Sequence, residues 1–122
     1  MKRILLATLA ILMSTLVFGQ GRYGADSAEC IKYLSFYQQY VKQGNLEDAA
    51  PNWRKAIKFC PPTASQNMLL DGMKIMRKEI NQFRSNPIRK KELVDTLMML
   101  HQMRIETYPN YAATAASNKA VD

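Results

Sequence analysis

Histidine and cysteine are scarce in this chain, and the few that occur lie far apart in sequence. Among 122 residues there are one histidine, His101, and two cysteines, Cys30 and Cys60. A tetrahedral zinc site needs three or four such ligands close together, so we expect no metal site. Nucleophilic catalysis needs a nucleophile, a base and an orienting group that converge, and no motif provides them. The sequence therefore predicts a protein that is not an enzyme and that binds no cofactor.

A long hydrophobic run occurs only at the N-terminus. Residues 4–18 are apolar except for three hydroxyl residues, follow two basic residues, and end with small side chains suited to cleavage after Gly19. This pattern predicts a secretory signal peptide over residues 1–19, the alternative being an uncleaved membrane anchor. The protein is then exported to the periplasm, or to the outer membrane or cell surface. Cleavage leaves 15 of the 17 basic residues against 10 acidic residues, with residues 20–25 as a linker.

The stretch that follows has the pattern of two helices joined by a short turn. In residues 30–43 the apolar side chains recur every three or four positions, which is the period of a helix with one buried face. Gly44-Asn45 interrupts the pattern, since glycine suits a helix end and asparagine caps the next helix. The period resumes over residues 46–60 and stops at Pro61. These features predict an antiparallel helical hairpin and an all-α fold.

The two cysteines are placed symmetrically about this turn. Cys30 and Cys60 each lie fifteen residues from Asn45, so they face each other in an antiparallel hairpin. An oxidising compartment permits a disulfide, and closing a ~31-residue loop stabilises by about 3–4 kcal/mol in the chain-entropy model. We predict a Cys30–Cys60 disulfide, the alternative being two free buried cysteines that pack as small hydrophobic residues.

The same hairpin, over residues 30–63, resembles a tetratricopeptide repeat (TPR), a 34-residue helix–turn–helix unit. The resemblance rests on aromatic, small and proline residues at the spacing of the repeat, namely Tyr33, Phe36, Tyr37, Tyr40, Ala49, Trp53, Ala56 and Pro61. Two residues depart from the pattern. The family prefers a small residue at position 37, and Pro51 falls inside the second helix, where proline removes a helix hydrogen bond.

The resemblance implies how the protein works as well as how it folds. TPR hairpins stack into a right-handed solenoid whose first helices line a concave groove. By resemblance, the residues on that groove are Ile31, Leu34, Gln38, Val41 and Lys42. This mixture of apolar and polar side chains suits an extended peptide or a partner helix. The implied function is a non-enzymatic scaffold that binds a protein or peptide partner in the bacterial cell envelope.

A second and longer hairpin is predicted over residues 64–109. The apolar period predicts one helix over residues 64–84 and another, helix four, over residues 87–108. Gly72 lies in the middle of the former and predicts the close approach of a neighbouring helix. We interpret this hairpin as an extended, degenerate repeat, so that residues 26–109 form a short TPR-like solenoid of two stacked hairpins.

The last residues, 110–122, have no clear apolar face and are expected to form a frayed tail. Repeat arrays usually end in a polar capping helix, and none is expected here. Helix four would then expose apolar surface, which marks an interaction site or an aggregation hazard. This predicts a truncated array, or completion of the stack by a partner, or self-association through helix four.

Basic residues are concentrated around the second hairpin, and they suggest the alternative function. The patch consists of Lys74, Arg77, Lys78, Arg89, Lys90 and Lys91. Such a patch attracts anionic lipid headgroups or envelope polymers, which would make the protein a basic anion-surface binder. Nucleic-acid binding is not expected, because it requires exposed aromatic side chains beside the patch.

Overall fold

The structure is a computed structural model that describes residues 21–122. The predicted signal peptide and its cleavage site after Gly19 lie outside the described residues. The described part of the chain is all-helical and has no strand, which confirms the predicted all-α class. Its helices are α1 (Ser27–Lys42), α2 (Leu46–Phe59), α3 (Gln66–Gln82), α4 (Pro87–Thr107) and α5 (Ala112–Val121). Short 3₁₀ turns, Pro62–Ala64 and Pro109–Tyr111, precede α3 and α5. Of these helices, none has the length and apolarity that crossing a bilayer demands.

The first hairpin, α1–α2, is fixed at both ends. At the turn, Gly44 has a positive φ of 73°, which is the conformation that glycine adopts without strain. The Asn45 side chain caps α2 by accepting a hydrogen bond of 3.1 Å from the backbone N–H of Asp48. At the other end a disulfide joins Cys30 to Cys60, so the predicted pairing is confirmed. Both cysteines are buried, and the hairpin is therefore a closed unit.

Trp53 lies at the centre of the core and joins α2 to α3. It is 1 % exposed, and its indole N–H donates a hydrogen bond of 2.8 Å to the Met68 carbonyl at the start of α3. The ring packs directly over Gly72, where a Cβ atom would overlap it. The absence of a side chain at Gly72 thus allows the close approach that the sequence predicts.

Tyr37 and Pro51, the two residues that depart from the repeat pattern, lie in different environments. Tyr37, where the family prefers a small residue, is fully buried, and its hydroxyl donates a hydrogen bond of 3.1 Å to the carboxylate of Asp71 on α3. It therefore links the first helices of the two hairpins. Pro51 is exposed, and α2 continues through it from Leu46 to Phe59. Because proline has no backbone N–H, one carbonyl of the preceding turn has no partner within the helix there.

The expectation of a frayed tail is wrong, because residues 112–121 form α5, which packs on α4. Ala115 is fully buried at the contact. The side chain of Asp122 accepts hydrogen bonds from Arg77 on α3 and contacts His101 on α4. A short helix with small residues can approach closely without an apolar stripe, so hydrophobic periodicity gives no signal of it. α5, which is largely exposed, therefore covers α4, although no capping helix was predicted for helix four.

Candidate partner-binding surface

The groove predicted from the repeat resemblance is only partly accessible. Leu34 is buried in the core, and Val41 packs against that core as a half-buried residue. Including Leu34 among the groove residues was therefore wrong, because it lies on the side of α1 that packs against the rest of the fold. Ile31 is 47 % exposed, Gln38 is half-buried and Lys42 is exposed. These three side chains remain available on the outer face of α1.

A distinct concavity, which we call the hairpin cleft, lies between α1 and α2. It has a volume of about 300 Å³ and is lined by Phe36, Gln39, Tyr40 and Asn52. Phe36 is 43 % exposed, although an aromatic side chain of this size is usually buried. The spacing of Phe36 and Tyr40 places both rings on one face of α1, and the two amides can donate and accept hydrogen bonds. The cleft thus combines apolar walls with polar groups that can orient a ligand.

Lysines and further aromatic rings surround the cleft. Tyr33 stacks on Phe59 with ring centroids 5.8 Å apart and contacts Phe36 edge-on at 6.2 Å. Lys32 and Lys55 approach the Tyr33 ring at 5.0 and 5.3 Å from its centroid. The stacked rings hold Phe36 in place from one side. Lys32 also pairs with Glu29 at 3.9 Å, so of these two lysines it is Lys55 that has no ion-pair partner within residues 21–122. A ligand with an acidic group near an apolar anchor would match the charge of Lys55.

The predicted basic patch is partly neutralised by ion pairs. Four of its six residues pair with acidic side chains, in the pairs Lys74–Asp71, Arg77–Asp122, Arg89–Glu92 and Lys91–Asp95. Lys78 and Lys90 have no ion-pair partner within residues 21–122. Acidic residues three or four positions along the same helices, and Asp122 after α5, therefore offset part of the charge of the predicted patch.

A smaller cavity of about 180 Å³ lies between α2, α3 and α4. Its apolar lining includes Trp53, Met76 and Leu93, all of which also belong to the core. At its rim, both Nη atoms of Arg54 donate hydrogen bonds to the Glu79 carboxylate. The ion pair therefore already uses this guanidinium, and Arg89, which also lines the cavity, is paired with Glu92.

The single histidine, His101, is fully buried and contacts Asp122. Its Nε2 contacts the carboxylate of Asp122, which is also held by Arg77 through hydrogen bonds of 2.9 and 2.6 Å. Hydrogen bonding from Arg77 is the main reason that the pKa of Asp122 falls to about 2. This cluster joins α3, α4 and α5.

Metal-binding groups of three or more His, Cys, Asp or Glu side chains do not occur within residues 21–122. Comparison with known proteins adds no functional assignment: no family model, no curated protein and no solved structure matches the chain.

Proposed function

We propose that this protein is a non-enzymatic, exported, TPR-like scaffold that binds a protein partner in the bacterial cell envelope through the hairpin cleft. The observation that carries the proposal is the exposed position of Phe36 at a cleft of about 300 Å³. An aromatic side chain beside a concavity is a typical anchor of a protein interface, where a few such residues supply most of the binding energy. A short peptide segment of the partner would occupy the cleft.

The construction of the first hairpin supports this role. The Cys30–Cys60 disulfide closes one end and the Asn45 cap closes the other, so little conformational freedom remains to be lost on binding. The amides of Gln39 and Asn52 lie on opposite helices of the cleft. Each amide has one acceptor and two donor hydrogens, which match the alternating donors and acceptors of a peptide backbone.

The succession of helices supports the TPR-like part of the proposal. Two hairpins follow each other, and their first helices are joined by the Tyr37–Asp71 hydrogen bond. A further helix, α5, covers α4 in the way that a terminal capping helix covers the last repeat of an array. Lys55 beside the cleft favours a partner segment with an acidic residue, whereas Lys32 already pairs with Glu29.

The alternative function, binding to an anionic surface through the predicted basic patch, has less support. Four of the six residues already have acidic partners, so the patch attracts an external anion less strongly than its composition indicates. Exposed ion pairs are weak and can exchange partners, but an anion must then compete with a carboxylate that is already in place.

A capture experiment with matched variants tests the proposal. The full-length chain would be expressed with a C-terminal affinity tag, purified from the envelope, and used to capture envelope proteins at low and high salt. Three variants would be compared with wild type: Phe36→Ala in the cleft, Ile31→Ala on the predicted groove, and Val121→Ala as a control at a more exposed apolar residue on α5. Captured proteins would then be purified and their dissociation constants measured by calorimetry.

We expect one protein to be retained at high salt, because apolar anchoring is little affected by screening. Phe36→Ala should weaken its binding by tenfold or more, since truncating an anchor costs about 2 kcal/mol or more. Ile31→Ala and Val121→Ala should bind as wild type does. If only Ile31→Ala loses binding, the partner contacts the predicted groove and not the cleft. Equal capture by every variant would contradict the proposal.

A further inference from the structure

The turn between α3 and α4 exposes two large apolar side chains. We call residues 83–88 the hairpin tip. Ile88 is 76 % exposed and Phe83 is 40 % exposed, and every residue from 81 to 88 is exposed. Leaving an isoleucine this exposed is unfavourable in water, so the tip is a candidate contact surface.

The tip ends the longer of two neighbouring helices, since α3 has 17 residues and α2 has 14. Every residue from 81 to 88 is exposed, so no other element of the described chain covers the tip.

The charge around the tip has one sign. Residues 80–91 contain four basic residues, Arg84, Arg89, Lys90 and Lys91, and no acidic residue. Arg89 and Lys91 pair with acidic residues further along α4. The exposed side chains of Arg84 and Lys90 have no ion-pair partner in the described part of the chain. The Arg89 guanidinium lies 5.7 Å from the centre of the Phe83 ring, which places the first turn of α4 beside that ring.

We propose that the hairpin tip binds the surface of an anionic phospholipid bilayer. Ile88 and Phe83 enter the headgroup region, and Arg84 and Lys90 contact lipid phosphates. A bilayer surface accommodates a convex tip, because apolar side chains enter the acyl boundary while flanking long cationic side chains reach the phosphates. The contact is peripheral, and it is separate from the hairpin cleft proposed to bind a protein partner. The scaffold would thus hold its partner close to the membrane.

Vesicle flotation with the purified full-length chain tests this inference. Two sets of vesicles would be used, one of phosphatidylcholine alone and one in which a third of the lipid is phosphatidylglycerol. Wild type should bind the anionic vesicles only, and binding should weaken as salt is raised. Ile88→Ser should reduce the partition coefficient roughly tenfold, as expected for the loss of about two buried methylene equivalents. Arg84→Gln/Lys90→Gln should reduce it roughly 25-fold, at about fivefold for each charge.

Matched controls distinguish vesicle binding through the tip from binding through charge or apolar surface elsewhere on the protein. Lys58→Gln/Lys119→Gln removes the same charge from α2 and α5, away from both the cleft and the tip, and Val121→Ser removes a similarly exposed apolar residue from α5. Both should bind vesicles as wild type does. The inference is overturned if wild type does not bind anionic vesicles at low salt, or if the control variants lose as much binding as the tip variants. It is also overturned if Ile88→Ser binds normally, because purely electrostatic contact would then point to an acidic protein or polymer.

Discussion

Replacing Gly72 with alanine sets helix propensity against packing, and the structure indicates which effect is larger. Alanine stabilises a helix interior by about 1 kcal/mol relative to glycine. At this position, however, the added Cβ would overlap the indole of Trp53, with the Nε1 atom only 2.8 Å away. The ring has little room to move, since it is 1 % exposed and bonded to the Met68 carbonyl.

The expected loss of stability is the cost of the packing clash minus the gain in helix propensity. Overpacking a closely packed core costs about 1–3 kcal/mol, and displacing the ring would also weaken the hydrogen bond to Met68, at about 1 kcal/mol. After subtracting the gain in helix propensity, we expect Gly72→Ala to lower the free energy of unfolding by about 2 kcal/mol. With an m-value near 1–2 kcal/mol/M for a domain of this size, the urea midpoint should fall by about 1–2 M.

Urea unfolding followed by circular dichroism provides the assay, because Trp53 is the only tryptophan and fluorescence would be lost in its variants. Asn81→Ala, at an exposed position of the same helix, serves as the control and should stabilise by about 0.5 kcal/mol. Trp53→Phe in the Gly72→Ala background removes the atoms that clash, so the double variant should be less destabilised than the sum of the two single variants. Gly72→Ala with stability equal to or above that of wild type would refute the packing argument.

Two further predictions concern the bonds that fix the ends of the fold. Replacing Cys30 and Cys60 with alanine should lower the free energy of unfolding by about 3–4 kcal/mol, given a sequence separation of 30 residues. Reduced wild type should unfold at the same urea concentration as this variant. A smaller loss of stability would mean that the unfolded chain without the disulfide retains structure. Because the pKa of Asp122 falls to about 2 in the folded state, chiefly through Arg77, its ion pair stabilises the fold above pH about 4 and this contribution is lost as the pH falls towards about 2. Asp122→Asn should therefore cost about 1 kcal/mol near neutral pH, after allowance for solvent screening, and the difference from wild type should vanish at the acid end; a deficit independent of pH would contradict the ion-pair explanation.

The features that depend on local chemistry could be predicted from the sequence. Gly44-Asn45 ends one helix and caps the next through the preferences of those two residue types, and the structure has both features. The disulfide followed from the symmetric spacing of Cys30 and Cys60 about that turn. Gly72 was informative because a glycine within a helix is unfavourable unless a neighbour requires the space.

The features that depend on tertiary contacts could not be predicted in the same way. Leu34 was assigned to the groove, but successive helix positions differ by about 100°, so a small error in the orientation of α1 moves a residue from the surface into the core. The docking of α5 uses Ala115 and the Asp122 side chain, neither of which produces an apolar stripe. The Arg77–Asp122 pair joins residues 45 positions apart, so no helix spacing indicates it.

The position of α5 changes which surfaces are available to partners. Self-association through helix four was predicted because that helix would expose apolar surface, and α5 covers part of it, with Ala115 buried and Asp122 bonded to Arg77. A partner that completed the stack at this point would have to displace α5 and break the Asp122 ion pairs. The exposed apolar residues Phe36 and Ile88 require no such displacement. Partner contacts are therefore expected first at the hairpin cleft and at the hairpin tip.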